Sequence, residues 1–507
     1  MQAATNTIPV YHCTRSSISV KLDEYMIGPV KVIIGLMNMK PIYCIDEPSL
    51  TPKDYDVVRK LTDIIVSVGY DTLPSGEELV KLCRRYKLPY QYISEKFIEL
   101  QYFIEREISG YGPLYPLIRD VNVEEIAVDG PSRPVSIFHR RYPFGWLDTN
   151  IVLPASEVDR LVLVLARRAG RSLSIAHPYA EGLLPEGHRL AATYAREVSR
   201  FGSSLVIRKH LEEPISIVSL IRDRVLSTLT AAYLWLLLDF KAAMIIAGPA
   251  ASGKTTLLQA LLGLIPSLER IVTIEDTPEL NLSHHPRWDS LVTRYSYARG
   301  GEDIDLYKLA KFALRRRADY IVIGEVRGEE ARILLHAAAS GHGALATFHA
   351  DTAESAIMRL KAPPISIGDS FIPLISAIVI VKRLRRGLVG EEVRRVSEIV
   401  EIIEESRGRW SLHRVITWNP RKDDHEPSDP RELVKNSYRL RRMAMAYGLA
   451  EEWIVHELEK RVRLLEDMLS RQLTDYSEVA RRIDELAANM LIAALSKKVM
   501  KHAETEK

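Results

Sequence analysis

Eight residues constrain this chain more than any others: Gly248-Pro-Ala-Ala-Ser-Gly253-Lys254-Thr255. They match the phosphate-loop pattern G-x-x-x-x-G-K-[ST] at every position. The apolar run Ala242–Ala247 before them reads as a buried parallel strand, and Thr256-Leu-Leu-Gln-Ala-Leu-Leu after them as a helix. A strand, a glycine-rich turn and a helix in that order let backbone N–H groups and the helix N-terminus point at a polyphosphate. The expected nucleotide contacts are Gly248, Pro249, Ala250, Ala251, Ser252, Gly253, Lys254, Thr255 and Thr256. Lys254 brings a fixed positive charge to the outer phosphates, and Thr255 a hydroxyl for Mg²⁺. The pattern predicts an α/β domain that binds ATP.

Strand and helix alternate over residues 214–440, which predicts a parallel sheet wrapped by helices. Strand Arg270–Ile274 ends in Glu275-Asp276, strand Tyr320–Ile323 in Gly324-Glu325, and strand Ala344–Phe348 in His349. Ligands of open α/β sheets sit outside the carboxyl ends of the strands, so these groups are expected to converge on the phosphate loop. Phosphoryl transfer to water needs Mg²⁺, a carboxylate to orient or deprotonate the water, and cations for the developing charge. Glu325 is expected to hold Mg²⁺ through a water, together with Thr255, and Glu275 to activate the attacking water. A structural reading of Glu275, as an acid capping the turn at Pro278, stands beside that one. His342, in the small-residue loop Ala339–Gly343, and His349 flank one strand and are candidates to sense the γ-phosphate. A hairpin (Val393–Ile403, then Trp410–Trp418, turning through Glu405–Gly408) closes the domain.

At 507 residues the chain exceeds what one core holds. Four regions are expected. Residues 1–105 are mainly helical and partner-facing; within them Thr51, Pro52 and Asp54 carry the N-cap signature of a helix. Residues 106–213 mix strand and helix and concentrate arginine, including Arg189, Arg196, Arg200 and Arg208. Residues 214–440 hold the phosphate loop. Residues 441–507 are helical, with an apolar stripe at Ile454, Leu458, Val462, Leu465 and Leu469, and read as a helical hairpin docking on the sheet domain or on a neighbouring subunit. The formal net charge of +3 is small for this length and excludes a general polyanion binder. Cys13, Cys44 and Cys83 have no C-x-x-C spacing, so neither a zinc cluster nor a disulfide framework is expected. The most apolar stretch, Val225–Leu238, falls short of the ~20 residues a bilayer crossing needs. No signal-peptide pattern is visible either, and a cytoplasmic protein without a transmembrane segment is the expectation.

Four segments occur in fixed order: Gly248–Thr255, Thr273-Ile-Glu-Asp-Thr-Pro-Glu279, Ile321-Val-Ile-Gly-Glu-Val-Arg-Gly328, and Ser340-Gly-His-Gly-Ala-Leu-Ala-Thr-Phe-His-Ala-Asp-Thr352. Together they resemble the Walker A, Asp box, Walker B and His box of the type II/type IV secretion ATPase superfamily. That group includes GspE-type and pilus motors, VirB11-like ATPases and the archaellum motor, and the chain is most similar to the archaeal GspE-like branch. The likeness extends upstream through Ile108-Ser-Gly-Tyr-Gly-Pro-Leu114 and Gly170-Arg-Ser-Leu-Ser-Ile175 and covers about 105–425. The tetracysteine zinc motif of many bacterial relatives is absent.

The resemblance implies a RecA-like P-loop ATPase half preceded by a smaller α+β half that supplies arginines, with ATP and Mg²⁺ bound between them. It implies a homo-hexamer that works on an integral-membrane platform protein at the inner face of the membrane. Arg189 and Arg208 are the favoured arginines for completing the site. The expected function is ATP hydrolysis that powers assembly of a pilus-like filament or type II/IV secretion. The archaellum motor and a DNA-transfer ATPase are the alternatives within the superfamily. A nucleotide-regulated scaffold is disfavoured by the two strand-end carboxylates, and a helicase by the modest charge; no stable nucleic-acid partner is expected.

Overall fold

Two nine-stranded sheets organise the chain in the computed structural model, one in each of the units Met1–Leu211 and Glu212–Lys507. The structure describes residues 8–14, 18–70, 72–142, 145–210, 214–294, 302–385, 392–405 and 409–489.

The first unit contains β1 (Ile18–Ile27), β2 (Val30–Met37), β3 (Lys40–Asp46), β4 (Val123–Val128), β5 (Pro134–His139), β6 (Trp146–Val152), β7 (Tyr179–Leu183), β8 (Arg189–Thr193) and β9 (Ser204–Arg208). Their order is β1-β2-β3-β6-β5-β4-β9-β8-β7. Neighbours are antiparallel except at β3 and β6, joined in parallel at Ile42–Asp148 and Tyr43–Thr149. Strand residues such as Ile34, Tyr43 and Ile126 share one core with Leu61, Phe103 and Val162 from the helices. The boundary expected at 105/106 therefore falls inside helix Phe97–Ile108. Residues 1–105, expected to be mainly helical, give three strands to the common sheet. The reason is long-range: the apolar stretches of β2 and β3 pair with each other and then reach β6, a partner that no local pattern announces.

The cap at Thr51 forms as expected, with Thr51 Oγ1 accepting from the Asp54 N–H and Asp54 bonding back to the Thr51 N–H at 2.8 Å. Deeper in, Arg106 and Glu47 form a fully buried ion pair at 2.8 Å. Tyr102 and the Tyr11 N–H donate to the same carboxylate. The cysteine expectation needs correcting. Cys13 and Cys44 are disulfide-bonded across 31 residues, because segment 8–14 runs back beside β3, and Cys83 is free and buried.

The second unit contains β10 (Ala243–Ala247), β11 (Ile271–Glu275), β12 (Trp288–Val292), β13 (Tyr320–Ile323), β14 (Gly343–Phe348), β15 (Ala377–Arg385), β16 (Glu392–Glu404), β17 (Trp410–Asn419) and β18 (Asp424–Glu426). The order is β12-β11-β13-β14-β10-β15-β16-β17-β18. Strands β12 to β15 in that order are parallel, and β15 to β18 continue as an antiparallel meander. Strands β16 and β17 pair as the expected hairpin, but they do not close the domain, since β18 forms the edge beyond them and later helices share the same core; residues 406–408 of the proposed turn lie outside the described residues.

Val225–Leu238, the most apolar stretch, resolves into helix Thr228–Asp239 with residues 229–238 all buried. A helix apolar on every side belongs in a core. Among the described residues no helix is long and apolar enough to cross a membrane. Helix Glu451–Ser470 packs on it, with Ile454, Leu458 and Leu465 in the same core, so the C-terminal stripe docks on the chain's own sheet domain. The boundary expected at 440/441 falls within helix Tyr438–Ala446.

Candidate active site

The middle strand of the second sheet, β10, delivers the phosphate loop. A Cβ at Gly248 would come within 2.2 Å of the Val381 carbonyl oxygen and 2.6 Å of Ser252 Oγ, so no larger residue fits there. Gly253 takes φ +98° as it hands the chain to helix Lys254–Leu262. Ser252 Oγ is fully buried and has no hydrogen-bond partner among the described residues. An orphaned hydroxyl inside a loop that opens a helix suits the oxygens of a phosphate. Pro249, Ala250 and Ala251 are exposed, and Thr255 and Thr256 lie in the first helical turn, half-buried.

Parallel strands put their carboxyl ends along one edge, and three groups meet there. Lys254 Nζ donates to the Pro249 carbonyl at 2.8 Å and lies 3.4 Å from His349 Nδ1. His349 Nε2 is 2.8 Å from Glu325 Oε1, and Arg327 donates to Glu325 Oε2 at 2.7 Å. Burial by itself would raise the Glu325 carboxyl; Arg327, then His349 and Lys254, hold it below the usual carboxylate range. Burial, with Lys254 beside it, lowers His349, so the ring is neutral near pH 7. A neutral ring protonated on Nε2 accepts from Lys254 at Nδ1, while its Nε2 edge faces the Glu325 carboxylate as a close electrostatic contact, Oε1 having no hydrogen-bond partner among the described residues.

Glu275, the last residue of β11, is buried, and its Oε1 accepts from the N–H groups of Glu279 (2.9 Å) and Leu280 (3.1 Å). Its side chain packs over Gly324, where a Cβ would meet Glu275 Cγ at 2.9 Å. Glu275 is thus next to the residue that precedes Glu325. Its two backbone bonds also match the structural reading, in which it braces the turn at Pro278.

His342 is not brought to this edge. It precedes β14, held against the Ala337 carbonyl at 3.1 Å, while His349 follows the strand. Roughly 20 Å of strand separates the two at ~3.3 Å per residue. In the first unit, Arg189 and Arg208 are direct cross-strand partners, and Arg208 approaches Glu125 at 3.6 Å. Arg196 and Arg200 sit in the turn at the other end of that hairpin.

Residues not singled out beforehand also belong to the site. Arg327 stands two residues past Glu325, an opposite charge close enough in sequence to have been a signal. Arg359 donates to the His349 carbonyl and lies over the Phe348 ring. Arg394, on β16, lies against Gly253 and reaches the Ala251 carbonyl at 3.4 Å. At 143 positions from its partner, it had no local signal.

A parallel sheet that aims a phosphate loop, a lysine and strand-end carboxylates at one edge defines a P-loop nucleotide-binding protein. The family described as Type II/IV secretion system protein matches residues 110–414, more than half of the chain. An uncharacterized protein of Methanocaldococcus jannaschii is 38% identical over 391 residues, spanning 76% of this chain and 68% of that protein. The type IV secretion system protein PtlH of Bordetella pertussis is 31% identical over 271 residues, 49% of this chain and 78% of its own. Among solved structures, the pilus retraction motor PilT with bound ADP matches 69% of this chain and 92% of its own, with 16% identity and a TM-score of 0.40. The chain belongs to the type II/IV secretion system protein family.

Proposed function

We propose that this chain is a Mg²⁺-dependent ATPase, working as a homo-hexamer at the inner face of a membrane on an integral-membrane platform protein. Its turnover powers assembly of a type IV pilus-like filament or type II/IV secretion. The observation that carries the reading is the line Lys254–His349–Glu325 beside the phosphate loop. The family match and the PtlH likeness support the secretion setting.

In this reading Lys254 leaves the Pro249 carbonyl for the outer phosphates, and the loop N–H groups and Ser252 hydroxyl hold the rest of the polyphosphate. Thr255 and Glu325 would hold the metal, a donor set that suits Mg²⁺, which takes one or two protein oxygens alongside phosphate. Bound Mg²⁺ neutralises charge on the transferred phosphoryl group. Glu275, its carboxylate direction fixed by two backbone donors, orients the attacking water. His349 bridges Lys254 and Glu325 and registers the loss of the γ-phosphate when Lys254 shifts. Arg189 and Arg208 are the candidates to complete a site. An arginine in that role is worth ~10³–10⁵ in rate.

The test is ATP turnover with Glu325→Gln. The expected result is a loss of roughly 10²-fold or more with ADP still bound; equal turnover in variant and wild type overturns the hydrolysis reading.

A further inference from the structure

Beyond its first residue, the buried Lys254, the helix that follows the phosphate loop is apolar on its buried side except at Gln259, one turn beyond Thr255 on the same face. Each polar atom of that amide is engaged. Its Oε1 accepts from the Asn281 N–H at 2.8 Å. Its Nε2 donates to the Asn281 carbonyl and to Tyr476 Oη, both at 2.9 Å. The Tyr476 hydroxyl in turn donates to the Gln259 carbonyl at 2.8 Å. Asn281 directly follows Glu279 and Leu280, whose N–H groups fix Glu275. A continuous line of hydrogen bonds and two residues of chain therefore joins Tyr476 to the Glu275 carboxylate.

Tyr476 lies beyond residue 414, where the family match ends, and three contacts fix it in place. The Thr474 carbonyl accepts from Ser216 at 2.8 Å, Asp484 accepts from the Ser267 N–H at 2.6 Å, and the His284 ring packs edge-on at 4.8 Å. The ring rests on Gly263, where a Cβ would come within 2.9 Å of Cζ and Oη. Burial raises its phenol far above the physiological range, so it keeps its proton and stays a donor.

We propose that Tyr476 is a positioning residue: through Gln259 it sets the Glu279–Asn281 segment and with it the direction of the Glu275 carboxylate, so that turnover depends on the C-terminal helices. An amide can pair with the Asn281 backbone in only one orientation, and the tyrosine hydroxyl favours the orientation seen. This inference rests on the reading of Glu275 as the water-orienting group.

The experiment uses the full chain and MgATP. Tyr476→Phe keeps the ring and removes both hydrogen bonds. It should lower kcat about tenfold while changing KM less than about twofold, the signature of an interaction that matters to the chemical step. Gly263→Ala, which displaces the ring and leaves every hydrogen-bonding group in place, should do the same and serves if the phenylalanine variant does not fold. In a Glu275→Gln background Tyr476→Phe should add nothing, because the two act in series. If Glu275→Gln turns over like wild type, the water-orienting reading falls and takes this inference with it. If Glu275→Gln is slow but both Tyr476→Phe and Gly263→Ala keep wild-type kcat, or Tyr476→Phe adds its full factor in the Glu275→Gln background, the positioning role alone is overturned.

Discussion

The two sheets have the same number of strands and opposite relations to the sequence. In the second unit, successive strands β10, β11, β13 and β14 all run one way, so whatever follows each strand arrives at one edge. Position along the chain is then enough to gather Lys254, Glu275, Glu325 and His349. In the first unit the sheet is mostly antiparallel and joins distant pieces, β3 to β6 and β4 to β9. What fixes that sheet is a buried ion pair and long-range pairing, neither of which has a local signature. Legibility follows topology: parallel order broadcasts a site, whereas antiparallel order conceals a core.

The largest effect that would sharpen this contrast is on stability. Arg106→Leu leaves the Glu47 carboxylate buried without its cation, which should destabilise the first unit by roughly 3–5 kcal/mol. Urea unfolding followed beside ADP binding reads it out, and the urea midpoint should fall while ADP binding in the second unit survives. Loss of both in step would mean that the two units unfold as one.

Next comes an effect on chemistry in the second unit. Burial and Lys254 hold His349 below its ordinary value of 6.5. A depressed folded-state value means that the fold favours the neutral ring, so the arrangement is complete above that value and is lost as pH falls through the lower one. Turnover should stay level down to pH ~6.5 and decline only in more acid solution, where imidazolium forms beside Lys254. His349→Gln should lack that acid limb; an unchanged pH profile would remove the histidine from the site. The smallest effect returns to the first unit, where Thr51→Ala deletes one half of a helix cap and should cost about 1 kcal/mol in the same urea experiment.

Much of the site was legible for this reason. The phosphate loop and the strand-end acids needed only pattern and order. His342 lies at the opposite end of β14 from His349, because flanking a strand is not the same as sharing an edge with its far end. Arg394 and Tyr476 escaped because each reaches the site from a remote element, and Cys13 and Cys44 escaped because a chain folding back on itself leaves no spacing rule. The stretch that holds helix Thr228–Asp239 is too short for a bilayer crossing, and its apolar surface is buried in the second unit's core.

That helix sets a limit on how the protein can be shortened. Its outer side is covered by Glu451–Ser470, where Arg461 reaches Asp239 at 2.5 Å and lies over Trp235. A chain cut at residue 414 would retain every recognised motif and still lay bare a greasy rod behind the sheet that carries the phosphate loop. Such a fragment should clump rather than turn over, so the minimal working protein is longer than the family's shared segment.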